Sequence, residues 1–418
     1  MASVIVVGLG YVGLPLAIRA AEAGHRVVGY DTDADRVKQL ETASYIEDVS
    51  CDQLAAVIAS GALRTSSEAR CCAGFDVAVI SVPTPLREGQ PDLTHVESAC
   101  RTLARYLRPG ATVIVESTTW PGTTTEKVQP LLEDGSGLIA GPDFHLGYSP
   151  ERIDPGNQIW TLATTPKIVS GIDEESLAAV RAFYDGLVKE TVPVSSPAEA
   201  ELAKIIENTF RHVNIALINE LAMCAHGLGI DVWEAIGAAS SKPFGFMPFR
   251  PGPGVGGHCL PIDPSYLSWR VERTLGQTFR FVELANDINN HMPDYVVRRL
   301  MTALNDKGRP VRGSRILLLG LAYKKNTGDA RESPAARVAQ LLAGLGACVV
   351  AADPHVKESG LIHARVDRVE LTSAEVAAAD AVVMLTDHDA FDNEEISKHA
   401  SYVLDCRNVL SGSNVEKL

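Results

Sequence analysis

The sequence predicts an α/β protein with two doubly wound parallel sheets joined by a central helical domain that contains one long helix. Three observations carry this. A continuous β-branched run, SVIVVG at 3–8, and a leucine-rich run, RILLLG at 315–320, each open a segment where strands alternate with helical patterns, as sheets buried on both faces require. Between them, from about Pro197, the apolar period becomes helical and stays so as far as Gly227 and Gly229. A chain of 418 residues is also too long for one ordinary core. The expected domains are 1–196, 197–304 and 305–418.

In the first segment SVIVVG leads into Gly8-Leu9-Gly10-Tyr11-Val12-Gly13 and the helical LPLAIRAAEAG, which stops at Gly24. A second strand, HRVVGYD, ends at Asp31. Strand, glycine turn, helix, strand and acid in this order form the fingerprint of a Rossmann-like dinucleotide site. The glycines allow a tight turn and the approach of a pyrophosphate to the helix N-terminus, whose unpaired N–H groups favour an anion. An acid at position 31 accepts a hydrogen bond from a ribose 2′-hydroxyl and repels a 2′-phosphate, so NAD is expected rather than NADP. Strands VAVISV (77–82) and TVIVE (112–116) follow. Ligands of open α/β sheets lie beyond the carboxyl ends of strands, so the loops Pro83-Thr84-Pro85 and Ser117-Thr118-Thr119 are expected to border the cofactor. The loop YSPERIDPGN (148–157) carries Glu151 and Arg152, which by themselves read as a solvated pair.

The long helix is entered through Ser195-Ser196-Pro197. Leu202, Ile205, Ile206, Val213, Leu217 and Leu221 form an apolar stripe. Lys204 and Asn208 share another face, with Asn219 near the same azimuth, and if buried these groups need partners. Ile215 to Ile218 and Leu221 to Met223 carry apolar side chains most of the way round, so a homodimer packed through this helix is expected. Beyond the helix, VGGHCLPIDPS (255–265) sets Cys259 after a turn containing Gly254, Gly256 and Gly257, and four residues before Asp263. Glycines leave the backbone free to approach a ligand, while Pro251, Pro253, Pro261 and Pro264 stiffen the loop. Cys259 therefore reads as a presented thiol. Cys224, inside the apolar run LAMCAHGLG, reads as a small packed hydrophobe.

A charged linker, NDKGRPVRGS (305–314), precedes the second sheet segment: RILLLG, a helix begun by Ser333-Pro334, CVVAADP ending at Asp353, and AVVMLT. It lacks GxGxxG, so no second dinucleotide is expected. Lys324, Lys325 and Arg331 in YKKNTGDARESP form a local cationic cluster suited to an anionic substrate.

Composition narrows the function classes. A formal net charge of −14 argues against nucleic acid as a partner, and there is no long uninterrupted apolar stretch for a membrane span. The first strand begins too close to Met1 for a leader pattern, and a cytoplasmic location is expected. The eight cysteines show no Cys-x-x-Cys spacing, so neither a metal site nor a disulfide framework is indicated.

Taken together, GLGYVGLP, ESTTWPGTT, YSPERIDPGN, AKIIENTFRHVNIALINE, GPGVGGHCLPIDP and GLAYKKNTGDARESP resemble the UDP-glucose and GDP-mannose dehydrogenase family over essentially the whole chain. The SPERxDPG and KPFGF…PGPGxGGHC runs are most similar to the branch oxidising UDP-N-acetylhexosamines, with UDP-N-acetylglucosamine the expected substrate. UDP-glucose dehydrogenases carry a second glutamate four residues beyond the position matching Glu151; here that position is Pro155, which tilts the reading away from UDP-glucose, the alternative.

The resemblance implies two successive oxidations of the sugar C6 alcohol with NAD, through a thiohemiacetal and a thioester on Cys259. It implies Lys204, Asn208 and Asp263 around that thiol, and Thr118 and Glu151 positioning water and the reacting carbon. On the cofactor side it adds Arg36 and Arg331 to Gly8, Gly10, Tyr11, Val12, Gly13, Asp31, Pro83, Thr84 and Thr118. On the substrate side it implies Glu151, Arg152, Lys204, Asn208, Arg211, Gly256, Gly257, Lys324 and Arg407. A two-electron alcohol dehydrogenase of the 6-phosphogluconate type is the rival enzyme, and would need no thiol. A dinucleotide-binding sensor or scaffold is the non-enzymatic rival.

Overall fold

The computed structural model of the protein describes residues 1–43, 49–87, 89–153, 157, 159–257, 260–357 and 366–418. They form two compact units, one of residues 1–207 with 265–276, the other of residues 208–264 with 277–418. Among the described residues, no helix is long and apolar enough to cross a membrane.

The first unit is built on a parallel sheet. Its strands are β1 (Ser3–Val7), β2 (Arg26–Tyr30), β3 (Leu63–Ser66) and β4 (Val77–Ile80). After a short hairpin of β5 (Leu86–Arg87) and β6 (Gln90–Pro91), β7 (Thr112–Val115) and β8 (His145–Tyr148) complete it in the order β3-β2-β1-β4-β7-β8. The order reverses beside β1, which pairs with both β2 and β4, and that switch point is where such sheets open a ligand crevice. A separate parallel pair, β9 (Lys167–Val169) and β10 (Thr191–Pro193), stands outside the main sheet.

The second unit repeats the plan. β11 (Arg315–Leu319), β12 (Cys348–Ala352), β13 (Val366–Arg368), β14 (Ala381–Met384), β15 (Val403–Asp405) and β16 (Val415–Lys417) lie in the order β13-β12-β11-β14-β15-β16. Ile316 and Leu318 of β11 pack with Val338 and Leu342 on one face. Leu317 and Leu319 pack with Val376 and Ile396 on the other. Both faces are covered, which is why residues 316–319 of RILLLG are apolar throughout instead of alternating. The strands that the sequence pattern did not suggest are β3, β5, β6, β9, β10, β13, β15 and β16.

The long helix is unbroken from Pro197 to Gly227. Ser196 Oγ accepts the Ala198 N–H at 3.2 Å, and Pro197 occupies the first helical position, where a missing N–H costs nothing. The expected apolar stripe divides: Ile205 is buried and Leu202 and Val213 are half-buried, whereas Ile206, Leu217 and Leu221 are exposed. Outside that stripe, Ala216, Ile218 and Ala222 are buried and Phe210 is exposed. Cys224 falls on the exposed side, so it is not the packed hydrophobe its apolar neighbours suggested.

Candidate active site

In the first unit the glycine turn is held from both sides. Asp31 Oδ2 accepts the Leu9 N–H at 2.8 Å, and Arg36 donates through Nε and Nη2 to the Leu9 carbonyl, each at 3.3 Å. Ser81 Oγ donates to the carbonyls of Val7 and Gly8. The glycines have different reasons to be there. A Cβ on Gly13 would overlap the Gly8 carbonyl oxygen and Ser81 Oγ, so that glycine seats the helix against the turn; a Cβ on Gly10 would meet no atom of the described residues within 4 Å. The space over Gly10 fits an approaching pyrophosphate, with Tyr11 exposed and Val12 half-buried beside it. Beyond β4, Pro83 is exposed and Thr84 is buried, its carbonyl accepting the Tyr266 hydroxyl.

Thr118 is half-buried at the carboxyl end of β7. The loop after it is tied down by Glu201 on the long helix, whose carboxylate accepts from the amides of Gly122 (2.6 Å) and Thr124 (2.9 Å) and from the Thr124 hydroxyl (2.7 Å). Burial pushes the Glu201 carboxyl up to about 7 against the pull of those donors.

Glu151 and Arg152 are not the solvated pair they resemble in isolation. Glu151 is 7% exposed and Lys204 5%. Lys204 Nζ donates to the Glu151 carbonyl at 2.6 Å and stands 3.5 Å from its Oε2. Burial pushes the Glu151 carboxyl up, opposed by Lys204 and Lys167. Arg152 bridges Glu207 at 2.7 Å and the Pro166 carbonyl at 2.6 Å. Behind them lies a buried cluster that sequence reasoning missed: Lys167 Nζ meets Glu116 Oε1 at 2.5 Å and the Pro150 carbonyl at 3.0 Å, and the Tyr184 hydroxyl donates to Glu116 at 2.6 Å. The available signal was a charge closing the apolar TVIVE and another opening the apolar KIV.

In the second unit Asn208 Nδ2 donates to Asp263 Oδ2 at 2.6 Å, with Asp263 2% exposed at the start of the helix Asp263–Leu275. Asn219, buried as expected, has its partners: Oδ1 accepts the Gly252 N–H at 2.9 Å and Nδ2 donates to Asn289 at 2.9 Å. The proline- and glycine-rich loop thus rests on the helix. Its glycines make room for protein. A Cβ on Gly256 would come within 2.7 Å of Tyr323 Cβ, and one on Gly257 within 2.8 Å of the Tyr323 ring. Cys259 itself, with His258, lies outside the described residues, as does Pro155.

Arg407 donates to the Leu385 carbonyl at 2.6 Å and lies 3.1 Å from where a Cβ on Gly252 would sit. Burial lowers its pKa. Of the predicted cationic cluster, Lys324 is half-buried, Lys325 is met by Asp389 at 2.6 Å, and Arg331 is held by both oxygens of Asp329. Arg211 is exposed on the long helix.

Comparison with known proteins bears on what this arrangement does. Residues 2–188 match the NAD binding domain of the UDP-glucose/GDP-mannose dehydrogenase family, residues 198–291 its central domain and residues 317–412 its UDP binding domain. The chain is 37% identical to a UDP-N-acetyl-D-mannosamine dehydrogenase of Pyrococcus horikoshii, covering 97% of this chain and 96% of that one. It is 36% identical to a UDP-N-acetyl-D-glucosamine 6-dehydrogenase of Pseudomonas aeruginosa, covering 93% and 91%. A solved structure of UDP-N-acetyl-D-mannosamine dehydrogenase from Pyrococcus horikoshii superimposes with a TM-score of 0.91 over 99% of this chain and 98% of that one, at 35% identity.

Proposed function

The chain belongs to the UDP-glucose/GDP-mannose dehydrogenase family, and from that premise we propose that it oxidises the C6 alcohol of a UDP-N-acetylhexosamine, UDP-N-acetylglucosamine first among them, to the uronic acid. It is an NAD-dependent nucleotide-sugar dehydrogenase. The relatives named above act on sugars that differ only in configuration at C2, which supports the N-acetyl class more than either epimer. UDP-glucose is the alternative, disfavoured by Pro155 where the second glutamate of that branch would stand.

The observation that carries the reading is the pairing of Glu151 with Lys204, a buried acid and a buried amine brought together from 53 residues apart. The turn at Gly8 to Gly13 and the carboxylate of Asp31 would hold NAD, which would supply the hydride acceptor. The Cys259 thiol adds to the C6 aldehyde, retains it as a thiohemiacetal, and after the second oxidation holds the acid as a thioester that water cleaves. Lys204 and Asn208 stabilise the oxyanion, a contribution on the order of 3 kcal/mol per donor. The bond from Asn208 to Asp263 fixes which way that amide points, and Glu151 holds water and the reacting carbon. NADH formation against a panel of UDP-, GDP- and dTDP-sugars tests the reading. Two NADH per UDP-N-acetylhexosamine are expected; one would favour the thiol-free rival, and turnover of UDP-glucose alone would refute the substrate.

The assembly we propose is a two-fold dimer through the long helix. Ile206, Phe210, Leu217 and Leu221 recur along one side of it, and each is at least 47% exposed. An apolar stripe of that kind requires a cover, and an isologous contact with a second copy is the simplest one. Sedimentation equilibrium at micromolar concentration decides the point, because a fully active species of 44.7 kDa would exclude the dimer.

A further inference from the structure

One buried cluster has no part in the chemistry assigned so far. Lys167 opens β9 at 3% exposure, Glu116 follows β7 at 2%, and Tyr184 is fully buried behind both. Lys167 Nζ reaches Glu116 Oε1 at 2.5 Å and stands 5.0 Å from the centroid of the Tyr184 ring. A buried ion pair is weak grounds for stability, since well-packed apolar residues of similar volume serve as well or better. What apolar residues could not do is the remaining contact, 3.0 Å from Lys167 Nζ to the carbonyl of Pro150. That carbonyl belongs to the peptide that leads into Glu151.

The same loop is laced from the other direction. Arg152 Nη1 donates 2.6 Å to the carbonyl of Pro166, the residue before Lys167. Two side chains therefore cross between the strand and the loop, one each way, on either side of Glu151. Lys204 closes the third side through the Glu151 carbonyl at 2.6 Å. Among the described residues, the charged and titratable groups around Glu151 are then Lys204, Lys167, Glu116, Tyr184 and the Arg152–Glu207 pair.

We propose that Lys167, held by Glu116, is a positioning residue for the oxidation: it anchors the Pro150 carbonyl so that Glu151 is kept in place against Lys204. Glu116 holds the ammonium on its line to the carbonyl, and the Tyr184 hydroxyl fixes Glu116 in turn. The inference rests on the catalytic part given to Glu151 above.

The test uses the full-length enzyme, UDP-N-acetylglucosamine and NAD. Lys167→Met alone would strand the Glu116 carboxylate, so it is combined with Glu116→Gln. The double variant is expected to melt close to the wild type and to keep its KM for NAD, while kcat falls on the order of 10²-fold, the effect of an approximately ångström-scale misplacement of an acting group. Lys167→Arg, which keeps both the charge and a donor, is expected to stay within a few-fold of wild-type kcat. A folded double variant with wild-type kcat overturns the proposal. So does a folded Lys167→Arg enzyme as inactive as Glu151→Gln, whether or not the double variant folds. Glu151→Gln separates the two levels of argument. If it turns over normally, the part given to Glu151 fails and the anchor with it; if it is inactive while the double variant is active, the anchor alone fails.

Discussion

The glycines of the cofactor turn should separate into one that serves the fold and one that serves the ligand. In Gly13→Ala the new Cβ overlaps the Gly8 carbonyl and Ser81 Oγ, and neither can withdraw easily, because Ser81 Oγ is bonded to the carbonyls of Val7 and Gly8. Overpacking of this kind costs about 1–3 kcal/mol, and a backbone obstacle belongs at the upper end. For a unit of this size that corresponds to a fall in melting temperature of roughly 6–12 °C. Gly10→Ala has open space around its Cβ, so stability should be unchanged or slightly higher, by about 0.4–1 kcal/mol through a less flexible unfolded chain. Its Cβ would nevertheless hold a pyrophosphate away from the helix N-terminus. Weakening one charge-assisted bond by about 1.5–3 kcal/mol raises the Kd for NAD by on the order of 10- to 100-fold. Thermal unfolding and NAD titration of the two variants form the assay. The assignment of roles is refuted if Gly10→Ala melts as low as Gly13→Ala, or if it binds NAD as tightly as the parent.

Asp31→Asn should narrow the preference for NAD over NADP by on the order of 10- to 100-fold in kcat/KM, since it removes a charge that repels the 2′-phosphate; an unchanged ratio would show that another group reads the ribose. Cys259→Ser should abolish uronic acid formation and leave the Kd for NAD within a few-fold of the parent, and normal acid production by the serine variant would sink covalent catalysis. Glu201, with its carboxyl pushed up to about 7 from 4.5, binds a proton more tightly folded than unfolded, so its contribution to stability is full below pH 4.5 and is lost as pH rises through 7. The melting-temperature difference between the parent and Glu201→Gln should thus shrink from pH 5 to pH 8, by the equivalent of on the order of 3 kcal/mol; a difference that grows with pH contradicts the direction of the shift.

Strong local signals read correctly. The fingerprint from Gly8 to Asp31 and the continuous apolar strands at 3–8 and 315–320 lie in the expected elements, because a strand covered on both faces writes its burial into every residue. The strands that went unseen are short ones such as Leu63–Ser66, Val366–Arg368 and Val415–Lys417, whose polar side chains carry no period and which exist by pairing with a neighbour. The long helix was legible as a helix, but not which of its apolar residues would be exposed, since its sides are distinguished only by what packs on them. Glu151 reads as solvated when its loop is taken alone, for a related reason. Nothing within YSPERIDPGN says that a lysine fifty-three residues on will bury it. The glycines at 256 and 257 read as leaving the backbone open to a ligand; what comes close to them in the structure is Tyr323, and one-dimensional spacing does not distinguish protein from ligand.

The two sheets share a strand order, and their corresponding acids show how one plan serves two ends. Gly8 and Gly320 each leave a central strand with positive φ, and a Cβ on either would press on Ser81 or Thr386, just beyond the end of the next strand. Asp31 and Asp353 end the neighbouring strands, and each accepts the amide just beyond its glycine, from Leu9 or from Leu321. There the likeness stops. Asp353 also accepts the amides of Ala322, His355 and Val356, and lies 3.0 Å from His388 Nε2. The Asn326 N–H donates to His388 Nδ1, which leaves Nε2 as the nitrogen that carries the proton toward Asp353. Five donors saturate a carboxylate with about four lone-pair sites. Burial alone would raise Asp353, yet these donors hold it well below the usual carboxylate range. Among the described residues Asp31 takes only the amides of Leu9 and Asp33, so it keeps capacity for a ribose hydroxyl. The saturated acid is a strut that binds the loop carrying Lys324 to the loop carrying His388, and the unsaturated one is free to read a cofactor.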